Sequence, residues 1–486
     1  MRNLTMYFTF VLCSLNCFGQ ISFFNYYSDN GADFGEGIIQ LEDSSYVLTG
    51  ASSSFGDAPS QAFLMQIDSL GNYMWSKSYG GPESESGRRV LHKANFGYFI
   101  CGYTSSYGAG GFDFYLAKVD ESANLEWENT YGGTGWERVN DAALTRDTGT
   151  LLVGETSSNE TDNLDIYIVR TDKFGDTLWT KTLGGSGDDK ANCILKYTDS
   201  TYFIGGEYYV EDSIRTKGYM MYLKDDGTVF WERTFGPNGD YWINDLAFDS
   251  DPEKIVGIGG GNGPLTDGTD GYICLMHKNG SFWGGFHPTT PGEMYLTEIT
   301  NFGNSGDFYT SMVFNNQTGY QFGEDVTISK YSSSFAFQSS FGISHDYPDY
   351  TGDIVRTSDG GAIVIGHSTA VVSGGNEITV AKIGPGDLYP DNINDGIINN
   401  LVLIDELDLS SLVSLFPNPS TGNISLVSET DLYKTYRLID SKGNVLRGGE
   451  FYKELNLSLF KEGAGIYFLE LKGTTVVPVR LKVMIQ

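Results

Sequence analysis

Asp68-Ser-Leu-Gly71-Asn-Tyr-Met-Trp75 is repeated along the chain, as Asp172-Lys-Phe-Gly175-Asp-Thr-Leu-Trp179 and more loosely as Asp225-Asp-Gly227-Thr-Val-Phe-Trp231. The tryptophan recurs at Trp75, Trp127, Trp179, Trp231 and Trp283, each 52 residues after the last. An aromatic residue and a glycine follow shortly after, as Tyr79-Gly80, Tyr131-Gly132 and Phe235-Gly236, with Leu183-Gly184 in the third copy. A fixed period of this length marks a supersecondary unit that cannot bury its apolar face alone and stacks on its neighbours.

Within one copy the pattern is that of a four-stranded meander. Arg88–Lys93 reads as a first strand, and Tyr98-Phe-Ile-Cys-Gly102 begins a second, nearly all apolar. Phe112–Asp120 reads as a third strand, and Leu125–Tyr131 as a fourth that alternates on a period of two. Gly50, Gly102, Gly154 and Gly206 keep the same spacing inside the second strands. A strand glycine marks the close approach of another backbone, and the expected neighbour here is the adjacent sheet. Copies begin near residues 36, 88, 138, 189, 242 and 294, and Phe337 is read as the sixth copy's substitute for tryptophan. A seventh copy starts near Tyr350 and stops after its third strand at Ile383. Counting 52 back from Trp75 lands on Phe23, and Phe23-Phe-Asn-Tyr-Tyr27 matches Trp75-Ser-Lys-Ser-Tyr79. The N-terminal segment is therefore expected to supply the missing outer strand and close the ring, which leaves only short, protected sheet edges. The expectation is an all-β chain with a seven-bladed β-propeller over residues 20–385. The fourth-strand aromatics should pack on the neighbouring blade or between strands.

The chain has 62 acidic and 31 basic residues, for a net charge of −31. No basic stripe is present, which argues against nucleic acid as a partner. Residues 1–19 carry Arg2 and the apolar run Met6–Leu15 and read as a secretory signal peptide. No other segment is apolar for long enough to suggest a transmembrane helix. Cys13 and Cys17 lie in the leader. Cys101, Cys193 and Cys274 fall at different points of different repeats and read as buried thiols rather than bridges.

Beyond residue 385 the period ends. Residues 386–412 read as an acidic linker, and the alternating strands of 413–486 as a small β-sandwich. Four motifs stand in order there: Phe416-Pro417-Asn418-Pro419-Ser-Thr-Gly422, Asp440-Ser-Lys-Gly443-Asn, Leu459 through Gly465-Ile-Tyr467, and Arg480-Leu-Lys482-Val. Together they resemble a type A sorting domain, the C-terminal signal of the type IX (Por) secretion system of Bacteroidota. The preceding repeats resemble the propellers often found ahead of such signals. The resemblance implies Sec export, recognition by the type IX translocon through the C-terminal domain, and delivery outside the cell or onto its outer surface.

No catalytic constellation stands out. The five histidines, His92, His277, His287, His345 and His367, lack metal-ligand spacing, and no nucleophile elbow or P-loop is present. Asp391, Asp395 and Gly396 fit positions of a calcium loop, but Ile393 and Val402 occupy two of its ligand positions. An acidic turn is preferred there, with calcium as the alternative, and no cofactor or metal is expected. Loops on a rigid scaffold are where binding residues concentrate. The expected function is therefore a secreted or surface-displayed, monomeric, non-catalytic propeller that binds a glycan or protein through one ring face, although no binding residue can be assigned. The alternative is a polysaccharide-degrading hydrolase or lyase with paired carboxylates in the central channel.

Overall fold

A computed structural model describes residues 22–384 except 28–30, 55–58, 160–162, 252, 263–268, 289–292, 302–305, 316–323, 344–348 and 370–375. In the C-terminal region it describes 413–416, 423–428, 434–440, 445–459, 461, 465–472 and 479–485. Two compact units are formed, divided between Leu403 and Ile404.

The first unit is a seven-bladed propeller of four-stranded antiparallel sheets. The innermost strands of blades 1 to 7 are Asp33–Gln40, Glu85–Lys93, Glu137–Leu144, Lys190–Thr198, Tyr241–Phe248, Glu293–Ile299 and Asp349–Arg356. Blade 2 continues through Gly97–Thr104 and Asp113–Val119 to the outer strand Leu125–Tyr131, close to the bounds expected from the repeat. Blade 7 has three strands of its own, and Phe23–Tyr27 completes it by pairing with Asn376–Ile383, from Phe23 opposite Lys382 to Tyr27 opposite Ile378. The alternation of that strand joins three blades. Phe24 and Tyr26 enter a core shared by blades 6 and 7, whereas Tyr27 enters the core between blades 7 and 1.

The repeated turn and tryptophan have one physical explanation. In Asp68-Ser-Leu-Gly71 the glycine has φ +82°, and Gly175 and Gly227 have +81° and +85°, in the left-handed region that disfavours side chains. The aromatic of the preceding blade's outer strand lies against this glycine: Phe23 on Gly71, Trp127 on Gly175 and Trp179 on Gly227. Trp179 Nε1 also donates to Asp225 O at 2.9 Å, and Trp231 Nε1 to Lys278 O at 2.9 Å. Trp75 instead donates to Gln66 Oε1 within its own blade, at 2.6 Å. The aromatic four residues on fastens the same turn: the hydroxyls of Tyr27, Tyr79 and Tyr131 donate to Gly71 O, Ala123 O and Gly175 O at 2.7, 2.8 and 2.6 Å.

Two members of the aromatic series depart from the expectation. Trp75 pairs with Gln66 at the last position before a register shift, and Trp127, Trp179 and Trp231 hold the same place in their blades. In blade 5 that place belongs to Gly284, and Trp283 falls on the shift itself, 58% exposed under Lys254 Nζ. The turn glycine Gly280 stands only three residues before Trp283, whereas Gly71 stands four before Trp75. In blade 6 the place belongs to Ser339, and Phe337, 60% exposed, does not substitute for tryptophan. Trp231→Ala should therefore cost about 2 kcal/mol and Trp283→Ala under about 1 kcal/mol, as read from urea unfolding midpoints.

The strand glycines also have a different neighbour from the one expected. A Cβ on Gly50, Gly102, Gly154 or Gly206 would lie 1.8–1.9 Å from the carbonyl oxygen of Phe34, Ser86, Arg138 or Lys190 respectively. Those carbonyls belong to the innermost strand of the same blade, so the crowding is within a sheet and not between sheets.

In the second unit, Val413–Phe416, Asn423–Ser428 and Glu454–Ser458 form one sheet, and Val445–Glu450, Thr435–Asp440, Gly465–Lys472 and Val479–Ile485 form another. Both sheets contribute to one core containing Ile424, Leu426, Leu438, Leu469 and Val483, which makes the unit a sandwich. Phe416 ends the first strand, Gly465 opens the sixth, and Tyr467 is buried on it. Arg480 and Lys482 lie on the last strand, opposite Glu470 and Phe468. Pro417, Asn418, Pro419, Gly422 and Gly443 lie outside the described residues, as do residues 1–19 and the segment Asp391–Gly396.

Candidate functional site

Every innermost strand carries a β-bulge at the same place. The extra residues are Glu36, Arg88, Asn140, Asn192, Asn244, Thr297 and Gly352. A bulge bends its strand and re-aims the side chain, and it also explains the glycines described above, which sit beside the displaced carbonyl. Most of the bulge residues line a polar cavity of about 220 Å³, together with Arg89, Asp245 and Glu298.

These side chains tie each blade to the next. Asn140, Asn192 and Asn244 donate through Nδ2 to Ala191 O, Ile243 O and Leu296 O at 3.0, 2.8 and 2.6 Å. One residue on, Asp141 Oδ2 accepts from Ile194 N at 2.9 Å, and Asp245 Oδ2 from Ile299 N at 2.9 Å. Asp353 Oδ2 accepts from Ile38 N at 3.2 Å, which links blade 7 to blade 1. Arg89 takes the same place in blade 2 and donates through Nε to Asp141 Oδ1 at 2.6 Å and through Nη1 to Asp353 Oδ2. Arg88 pairs with Glu36.

Four carboxylates thus surround Arg89. Burial, reinforced by Asp141, pushes Asp245 up to about 7 against the opposing amide of Ile299 and the charge of Arg89. Burial, then Asp245 and Asp353, push Glu298 well above the ordinary carboxylate range. Chemically, the channel can hold a proton near neutrality. Among the described residues no group of three or more His, Cys, Asp or Glu side chains is placed to hold a metal ion. Cys101, Cys193 and Cys274 are free and buried, and burial raises all three thiols, Cys274 to about 12. His92 Nε2 lies 3.1 Å from Glu121 Oε2 and stacks on Tyr98, away from the channel residues.

A second cluster stands on the ring face where each outer strand crosses to the next blade. The crossing loops are built alike: the amides of Ala32, Ser84 and Trp136 donate to the hydroxyls of Ser53, Ser105 and Ser157 at 2.7, 3.1 and 2.8 Å. The buried carboxylates of Glu85, Glu137 and Asp189 cap these loops by accepting from Gly81 N, Gly133 N and Gly185 N at 2.9, 2.7 and 2.8 Å. The side chain at the first of these positions varies, from Ala32 to Ser84 to Trp136. In blade 3 it is Trp136, 51% exposed. Phe112 packs edge-on against both Trp136 and Tyr103, with ring centroids 5.1 and 5.2 Å apart. The exposed guanidinium of Arg138 lies 5.3–5.6 Å from all three ring centroids. None of these four residues follows from the periodicity; the available signal is that Trp136 and Trp242 are the tryptophans that break the 52-residue period.

Residues 414–486 match the family described as "Secretion system C-terminal sorting domain". No curated protein sequence matches the chain. Among solved structures, the chain is similar to the WD40 domain of Neurospora crassa Pan2, at 12% identity and TM-score 0.38 over 75% of this chain and 100% of that one. It is also similar to the extracellular domain of BT4673 from B. thetaiotaomicron, at 10% identity and TM-score 0.44 over 96% of this chain and 59% of that one. Sqt1 from Chaetomium thermophilum gives 10% identity and TM-score 0.39 over 94% and 99%. No helix among the described residues is long and apolar enough to cross a membrane. The chain is a repeat β-propeller that carries a type IX C-terminal sorting domain, the signal that exports it to the cell surface or the extracellular space.

Proposed function

We propose that the exported propeller acts as a monomeric, non-catalytic receptor that binds a glycan or protein partner on the ring face bearing Trp136. The observation that supports this reading is a division of labour. The channel carboxylates Asp141, Asp245 and Asp353 serve as blade-to-blade struts, whereas Trp136 is a large exposed aromatic on a loop whose backbone is fixed. Preorganised aromatic anchors of this kind dominate binding energy when a partner covers them. Type IX delivery would place this face in contact with extracellular material.

The hydrolase alternative has one observation in its favour, the late-ionising acids Asp245 and Glu298 in a channel cavity. The deciding experiment is a glycan-array and surface-protein screen on the chain after signal removal, run beside a reducing-end assay on polysaccharides. The expected result is a ligand whose affinity falls at least about tenfold in Trp136→Ala, with an unchanged unfolding midpoint and no reducing-end release. Release that disappears in Glu298→Gln would overturn the non-catalytic reading.

A further inference from the structure

Resting on that reading, we infer that the Trp136 cluster binds an acidic polysaccharide, with a uronate ring seated against the indole and its carboxylate paired with Arg138. The first observation is the state of Arg138. In a chain of net charge −31, other arginines near the ring are paired: Arg88 with Glu36, and Arg89 with Asp141 and Asp353. Arg138 is exposed, and among the described residues it makes no ion pair or side-chain hydrogen bond; its neighbours are the rings of Tyr103, Phe112 and Trp136. A guanidinium stacked on aromatic faces is held in place while its donor edge stays available, and that edge matches a carboxylate in bidentate geometry.

The second observation concerns the room around the indole. Trp136 follows Gly132-Gly133-Thr-Gly135 and adjoins Gly108-Ala-Gly110-Gly111, and Gly111 N donates to Gly135 O at 2.8 Å. A Cβ on Gly111 would lie 2.6 Å from the indole Nε1, so glycine is what allows the loop to approach the ring without covering it. The loops therefore leave a flat aromatic surface among backbone polar groups. A pyranose offers an apolar face for the ring and hydroxyls for backbone partners. On a uronate the carboxylate is attached directly to that sugar ring, which suits a guanidinium only 5.3 Å from the indole centroid. An acidic peptide would satisfy Arg138 but not the flat aromatic surface.

The test is calorimetric titration of the full chain after signal removal with polygalacturonate, with its methyl ester and with polyglutamate. Wild type should bind polygalacturonate about tenfold more tightly than the ester. Arg138→Ala should abolish that preference, Arg138→Lys should restore only part of it, and Trp136→Ala should weaken binding at least about tenfold. Equal affinity for acid and ester, or binding of polyglutamate as tightly as polygalacturonate, overturns the inference. If polygalacturonate does not bind but another ligand is lost in Trp136→Ala, the inference fails while the receptor reading stands. If no ligand depends on Trp136, both fail.

Discussion

Removing residues 20–27 should abolish the closed ring, leaving a chain without a cooperative unfolding transition at room temperature. The segment contributes one five-residue strand, but Phe24, Tyr26 and Tyr27 are 5%, 5% and 1% exposed. At about 1.5–3 kcal/mol for each buried aromatic, the loss is about 6 kcal/mol, comparable with the whole stability of many domains. The ties to blade 1 go as well, because Asn25 Nδ2 and Tyr27 Oη both donate to Gly71 O, at 2.8 and 2.7 Å. The third strand of blade 7 then becomes an open edge, with Ile378 and Val380 of the blade 7–1 core uncovered. Far-ultraviolet circular dichroism in urea, with a hydrophobic dye as second probe, reads both effects. A synthetic peptide of residues 20–30 should restore the transition and a scrambled one should not. A truncated chain that keeps the wild-type midpoint would mean that closure does not depend on this strand.

Arg89→Leu should destabilise the propeller by about 3–5 kcal/mol at neutral pH, because removing one partner of a buried ion pair leaves the opposing charges uncompensated. The guanidinium is the cation that bridges Asp141 and Asp353, on blades 3 and 7. The pH dependence gives a sharper test. Asp245 and Glu298 ionise at higher pH in the folded chain than when unfolded, so above about pH 4, and up to about 7 for Asp245, the native state holds protons that the unfolded state has released. Their contribution to stability is present below the unfolded value, near 4, and falls as the pH rises through the folded values, about 7 for Asp245. Without Arg89 the attraction that helps both acids ionise is gone, and the window moves upward. The variant's deficit should therefore be smaller at pH 5 than at pH 8, as read from urea midpoints across that range. A deficit independent of pH would place the role of Arg89 in packing rather than charge.

Some of this architecture could be read without coordinates because one contact recurs in successive copies. Gly71, Trp75 and Tyr79 stand within a dozen residues and the pattern returns at a fixed period, so the blade count and the Phe23–Tyr27 closure follow from spacing, although each tryptophan and tyrosine acts on the turn of the next blade. The same spacing misplaces Trp283 and Phe337. The turns keep their length, with Gly280 and Phe335 four residues before Gly284 and Ser339 as Gly71 is before Trp75, but they come later in the copy than the period places them, and one residue is enough to move a side chain across a strand. Gly102 is recognisable as a crowded position, but its crowding partner is the carbonyl of Ser86, displaced by a bulge on another strand.

The amino-acid order alone thus determined the class of fold, the number of sheets, the strand that closes them and the export signal, since each is encoded in a short segment or an exact recurrence. Only the tertiary structure decided which groups meet. Arg89 reaches Asp353 across 264 residues of chain, and Trp136, Phe112, Tyr103 and Arg138 converge from strands and loops of two blades. Contacts of that kind are set by sheet packing around a ring, where side chains far apart in the chain become neighbours and their burial, charge and exposure are fixed together.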